Sequence, residues 1–378
     1  MPERPAPLVL VVDPSRAAAD AAFGSYAAVA ATGQRLLAGE LAERLGAQGA
    51  AVAPLLPARP PAGGQFHWGR WYVARAREAL DGAAGPVDAL GYAGAGALAL
   101  LSDVALDQLL SPLPGEVVGN NRFSADAFVV AGDLPRALAA LEACPTDNAA
   151  VRALEAAGFA ARGLRRVRWS RFDVDTPLDL ALLRTAATIP GARRPSEAVV
   201  RFLAMAQLPG GRGLEVPHLD ALGAVLRDRD AELVVAGRVP AAALAFLESE
   251  TACRTRAFVE ERGMRSAREG EPRSLLASLM DRTSPAELIG ELTALGDAVV
   301  LDTRVLMAAR GGSADAATWP PEEERFASDF GDHARVATPW LGELTRAAAA
   351  ASVPVLLGGH ALVSDGLRIL TGAAWLGR

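Results

Sequence analysis

The chain has 378 residues, 51% hydrophobic and 22% charged, with a net charge of −6; this length and balance suit two folded domains and exclude a disordered chain. All 38 basic residues are arginine, which excludes a Schiff-base lysine, a pyridoxal-phosphate anchor and the lysine of a P-loop, so any phosphate clamp must use arginine, backbone N–H groups or metal. Acids and arginines are interspersed, which gives no broad field to attract nucleic acid or an anionic membrane.

In chain order, Leu8 to Asp13 is a short Val/Leu run ending in Asp-Pro-Ser-Arg, the pattern of a buried strand entering a loop. Ala27 to Gln48 reads as a helix, Ala50 to Leu56 as an apolar extended run, and Pro57 to Gly64 as an exposed Pro/Gly loop. Trp71 to Leu80 is helical in pattern, Val87 to Tyr92 is a strand, and a small-residue loop, Ala93 to Ala97, leads to a further helix toward Leu110. Glu116 to Gly119 and Ala125 to Ala131 are extended candidates around the polar loop Asn120-Asn121-Arg122-Phe123-Ser124. Asp133 marks the start of a helix over Leu134 to Leu141, and Thr146 or Asp147 can cap the next one, which Gly158 ends.

An Arg-rich extended segment, Leu164 to Phe172, then runs into Phe-Asp-Val-Asp-Thr-Pro-Leu-Asp-Leu. Thr176 can cap the helix that follows, Pro177 suits its first turn, and Asp179 completes a box-like cap. Asp173 has no such duty; at the carboxyl end of a strand it lies where open α/β sheets bind ligands. The plainer reading is a helix start with solvated acids.

Pro190 to Pro195 interrupts the helical pattern and sets the expected boundary between domains 1–189 and 190–378. Beyond it, Val234 to Gly237, Pro240 to Leu247 and Arg254 to Val259 form a strand-helix-strand unit, and Ala298 to Leu301 and Val353 to Leu357 are later buried strands. The alternation throughout implies α/β architecture. Cys144 and Cys253 lack metal or redox spacing and read as reduced core thiols of a cytoplasmic protein. Met1 to Pro7 has no apolar signal region and no apolar run approaches about 18 residues, so neither export nor membrane insertion is expected.

Asn120-Asn121-Arg122-Phe123-Ser124-Ala125-Asp126, then Asp147-Asn148, then Phe172-Asp173-Val174-Asp175-Thr176-Pro177, together resemble the later part of small nucleotidyltransferases with a GT-A-like fold, such as molybdenum-cofactor guanylyltransferases. The resemblance covers roughly the first half of the chain, at the scale of one domain. It implies a GT-A-like, Rossmann-like domain with a mainly parallel sheet, followed by a second α/β domain. It also implies binding of a nucleotide or other activated small molecule, with Mg²⁺-dependent nucleotidyl transfer. On this likeness Asp13, Asp173 and Asp175 are the metal candidates, with Asp173 and Asp175 also catalytic. Arg16, Gly94, Gly96, Asn121 and Ser124, with Asp13, would line the nucleotide. The sequence departs from that pattern in two places. The first loop is Asp13-Pro14-Ser15-Arg16 rather than a glycine-rich cradle with a downstream lysine, and the loop after the central strand carries no carboxylate. A catalytically degenerate binding or assembly module is therefore the alternative reading. Self-association into a homo-oligomer is open.

Three other features invite a role. Gly91 to Ala97 has glycines after a strand but not the dinucleotide spacing, so tight helix-strand packing competes with cofactor binding. His67-Trp68-Gly69-Arg70-Trp71 reads either as a lid that stacks on a base or as a hydrophobic anchor for the loop before it. Asp302-Thr303-Arg304 and Gly358-Gly359-His360 each follow an apolar strand, so the two sets could meet as a polar pocket at the ends of a parallel sheet, or could simply cap and turn the chain.

Overall fold

The computed structural model describes residues 6–12, 24–55, 66–164, 167–261 and 272–376. These residues form a mixed α/β protein that divides into two compact units. The first comprises residues 1–21, 31–174 and 195–199, and the second residues 22–30, 175–194 and 200–378. The changeover thus falls at Val174 and Asp175, between the two candidate carboxylates.

The first unit contains β1 (Leu8–Val12), most of α1 (Tyr26–Ala47), β2 (Ala51–Leu55), α2 (Trp68–Asp81), β3 (Ala89–Ala93) and α3 (Asp103–Leu110). It continues with β4 (Glu116–Gly119), β5 (Ala127–Ala131), α4 (Leu134–Glu142), α5 (Ala150–Ala156) and β6 (Ala160–Gly163). The strands form one sheet in the order β2-β1-β3-β5-β4-β6, parallel except that β5 runs against both neighbours. Period-two alternation sends side chains to opposite faces and makes two cores. Leu8, Leu10, Leu90, Tyr92, Phe128 and Val130 pack on one face with Trp68, Tyr72 and Leu138. Val9, Val11, Ala89, Ala93 and Val129 pack on the other with Leu41, Leu45 and Leu106. Strands buried on both faces explain why β1 and β5 read as continuous apolar runs.

One expected strand is displaced. The last strand of this sheet is Ala160–Gly163, and the chain from Val167 to Val174 is turn and coil rather than an extended run over Leu164 to Phe172. β6 has a single partner, β4, whose four residues are matched by Ala160 to Gly163. Beyond Gly119 that partner turns away into the Asn120 loop, leaving a longer β6 without a ladder to join.

The second unit contains α6 (Pro177–Ala186), most of α7 (Glu197–Met205), a small ribbon of β7 (Gln207–Leu208) and β8 (Arg212–Gly213), and α8 (Leu219–Arg227). Then come β9 (Glu232–Gly237), α9 (Ala241–Glu250), β10 (Arg254–Val259), α10 (Leu275–Arg282) and α11 (Pro285–Ala294). The last elements are β11 (Ala298–Asp302), α12 (Arg304–Arg310), α13 (Glu322–Asp329), α14 (Pro339–Ala350), β12 (Val355–Gly358) and α15 (Leu367–Leu376). Its four long strands are all parallel, in the order β10-β9-β11-β12. The order reverses between β9 and β11, which puts a topological switch point there. Both cysteines are buried and free, and burial pushes the Cys144 thiol up to about 11. No helix among the described residues is long and apolar enough to cross a membrane.

Candidate functional site

In the first unit, polar side chains gather around the loops that follow β3 and β4. Asn120 is their clasp. Its amide oxygen accepts from the N–H groups of Asp126 and Ala127, both at 3.1 Å, while its Nδ2 donates to Asp126 Oδ2 at 2.9 Å and to the Ser170 carbonyl at 3.1 Å. The 120–126 loop is therefore closed on itself and tied to the turn that precedes Asp173. Ser124 Oγ donates to Asn148 Oδ1, which joins the loop to the start of α5. Asn121 Oδ1 accepts from Phe123 N at 3.2 Å, an Asx turn that stabilises the loop locally. Tyr92 is buried in an aromatic cluster and donates to Asp147 Oδ2 at 3.2 Å; burial and the Asp147 charge raise its hydroxyl well above the ordinary value.

The small-residue loop after β3 is used for close packing. Val174 N donates to Gly96 O at 3.2 Å, Gln34 Nε2 donates to Val174 O at 2.9 Å, and a Cβ on Gly96 would fall on the Val174 carbonyl oxygen. At Gly94 the nearest atom to an added Cβ is Asp126 O, at an ordinary 3.5 Å. Gly96→Ala is thus expected to cost about 1–3 kcal/mol by overpacking, while Gly94→Ala leaves the melting temperature near that of the native chain. Thermal denaturation of the two variants side by side checks this, and equal melting points would refute the packing role of Gly96.

The aromatic segment His67 to Trp71 opens α2 and packs into the core through Trp68, while the Pro57 to Gly64 loop before it lies outside the described residues. Trp68 is buried and stacks on Tyr72 with centroids 4.9 Å apart, and His67 caps the helix by accepting from Arg70 N. Trp71 lies against Phe66 at 5.5 Å.

Asp173, half-buried, accepts from Val174 N at 2.9 Å and is the last residue but one of the first unit's long segment. Asp175 is exposed and opens a segment of the second. Its N–H donates to Asp179 Oδ2, which also receives the N–H and hydroxyl of Thr176, the last two bonds both at 2.9 Å. The expected capping box at α6 is complete. Its acid is not a solvated one, because Asp179 is only 3% exposed. Burial lifts the Asp179 carboxyl to about 7, the neighbouring Asp175 adding to the rise and the Thr176 hydrogen bond opposing it. Asp13 and Arg16 lie outside the described residues. Among the described residues no three His, Cys, Asp or Glu side chains gather as a metal site. A divalent cation therefore finds no ready donor set there.

The second unit places Asp302-Thr303-Arg304 and Gly358-Gly359-His360 side by side, because β11 and β12 are paired with Asp302 opposite Gly358. Thr303 donates to the Gly358 carbonyl through both its N–H, at 2.9 Å, and its hydroxyl, at 3.2 Å. Asp302 is fully buried and accepts from Arg238 Nε at 2.6 Å, Arg238 Nη2 at 3.1 Å and Arg304 N at 3.1 Å. Burial raises its carboxyl, but the charge and hydrogen bonds of Arg238, helped by His360 and Arg304, outweigh that and hold it below the usual range. Arg304, also buried, spans Asp329 with Nη1 and Nη2, the second bond at 2.6 Å. Burial drives the Asp329 carboxyl up against the pull of that guanidinium. Gly237, at φ +125°, brings β9 so close to β11 that a Cβ would collide with Asp302. Glycine is what lets Arg238 reach across.

Sequence reasoning singled out the two strand-end tripeptides but missed Arg238 and Asp329, whose partners lie 64 and 25 residues away. Gly237-Arg238 directly after an apolar strand was the available signal for the first; nothing local marks the second. No family model matches the chain, and neither does any curated protein or any solved structure.

Proposed function

We propose that the chain is a cytoplasmic protein that binds a nucleotide or nucleotide-sugar through its first unit, built on a GT-A-like plan. The observation that carries this reading is the carboxyl end of a mainly parallel sheet where the Gly94 loop, the Asn120 to Asp126 clasp and the Ser124–Asn148 and Tyr92–Asp147 bonds cluster. Ligands of open α/β sheets bind at such strand ends. Asn148 and Ser124 supply hydrogen-bonding groups for a base or sugar, and Asp173 follows the turn that Asn120 holds at Ser170. Mg²⁺-dependent nucleotidyl transfer is the enzymatic form of the proposal and calls on Asp13, Asp173 and Asp175. The described residues offer no three-ligand cation set, so no chemical step is assigned to the metal.

That same shortage, with Gly96 committed to packing on Val174, favours a second reading in which the first unit binds without catalysing. Isothermal titration of the full chain with GTP, ATP and UDP-glucose, with and without MgCl₂, separates the two. Saturable binding strengthened by Mg²⁺ and weakened at least tenfold by Asp173→Asn supports the metal-dependent form. Binding indifferent to Mg²⁺ and to Asp173→Asn supports the non-catalytic one. No binding of any of the three ligands would refute both.

A further inference from the structure

The carboxyl edge of the second unit's sheet carries charge that stability alone does not call for. Buried ion pairs are commonly neutral or worse for stability than apolar residues of the same volume, since desolvation offsets the attraction. Here the buried pair Arg304–Asp329 and the pair of half-buried Arg238 with buried Asp302 stand together by the ends of β9 and β11, where the strand order reverses. Crevices outside a parallel sheet at that point are where such folds take ligands.

Three details give the edge a shape. Arg238, past β9, bonds Asp302 through its side chain and Arg304, past β11, through its N–H, so arginines from two strand ends meet at one carboxylate. That carboxylate is already saturated by donors from Arg238 and Arg304. The side-chain bonds of Arg304 run through Nη1 and Nη2, while its Nε edge faces Gly359, where an added Cβ would stand 3.6 Å from Nε. Apart from the adjoining residues of the chain, only Arg304 atoms stand within 4 Å of that Cβ position, so glycine leaves space beside the guanidinium edge. Guanidinium N–H groups match the spacing of phosphate oxygens, and the chain has no lysine to do the same work.

We propose that the second unit holds a separate site for a phosphorylated small molecule, its phosphate seated over Gly359 against Arg304, with Arg238 and His360 at the rim. The site is independent of nucleotide binding by the first unit. Arg304 and Arg238 are fixed by their carboxylate partners before the ligand arrives, so little side-chain entropy is lost on binding. Gly359 serves as the opening through which the phosphate reaches them.

The test is a titration of the full chain with inorganic phosphate, followed by the imidazole proton resonances. The chain has four histidines, and the His360 signal is assigned as the one missing from His360→Gln. The expected result is a saturable shift of the His360 resonance at millimolar phosphate, absent or at least tenfold weaker in Gly359→Ala, whose new Cβ makes only ordinary contacts and leaves the melting temperature unchanged. Acetate at equal concentration and ionic strength should produce no saturable shift. A His360 resonance unmoved by phosphate in the native chain overturns the proposal. So does an equal response to acetate, or an undiminished one in folded Gly359→Ala. A phosphate response confined to other histidines places the anion elsewhere and also overturns it.

Discussion

Asp329→Ala is expected to lower folding stability by about 3–5 kcal/mol, the usual cost of breaking a buried ion pair. The cause is the partner left behind. Arg304 is 5% exposed and already pays for burial; its guanidinium is kept charged by Asp329 first and by Asp302 next. Without Asp329 it retains only the Thr303 hydroxyl for its Nη1, and the guanidinium cannot escape by losing its proton. Urea denaturation at neutral pH measures the loss. The comparison is Glu155→Ala, which removes the acid of the exposed Arg122–Glu155 pair and is expected to cost less than about 1 kcal/mol. Equal losses in the two variants would show that the Arg304–Asp329 pair is solvated rather than buried. The double variant Arg304→Met with Asp329→Leu should recover much of the stability, because apolar side chains of similar volume remove the desolvation cost along with the pair.

The parts of the fold that were legible are those decided within a few residues. β1, β5, β9 and β11 are buried on both faces and so announce themselves as apolar runs, and α4 and α6 are marked by Asp133 and by Thr176 with Asp179. What depends on a distant partner was not legible. Leu164, Val167, Trp169 and Phe172 suggest an extended segment, yet β4 ends at Gly119 and offers no edge to pair with. Gly96 is required by Val174, 78 positions away, and nothing in the glycine-rich loop itself says whether it approaches a ligand or the chain. The strand-end tripeptides were visible as motifs because each sits just past an apolar run. Their charge balance was not, since Arg238 and Asp329 come from other elements. The boundary followed the same rule: Pro190 to Pro195 breaks the helical pattern, whereas the change of unit after Val174 reflects which core each segment packs into.

Asp179 should make the chain less stable as pH rises through neutrality, against the common expectation for a carboxylate at a helix start. Two effects compete. The N–H groups of Asp175 and Thr176 and the Thr176 hydroxyl converge on Oδ2, and the positive end of α6 favours charge. Burial opposes ionisation more strongly, with Asp175 and Asp329 as nearby negative charges, and the carboxyl is lifted from 3.8 to about 7. A group whose folded value lies above its unfolded one contributes stability that is fully present below about 4 and is lost as pH rises through about 7. The separation of those values sets a ceiling of about 4 kcal/mol on the loss at alkaline pH. Asp179→Asn keeps an amide oxygen for the three donors and removes the titration. The variant should therefore match the native chain below about pH 4 and be more stable at pH 8, with the difference opening between about pH 4 and 7. Denaturant titrations of both proteins across that range isolate Asp179, because carboxylates with lowered values such as Asp302 act at more acid pH and cancel in the difference. Parallel stability curves would mean that the α6 cap holds Asp179 charged throughout, and that the strand edge beside it is wetter than its burial implies.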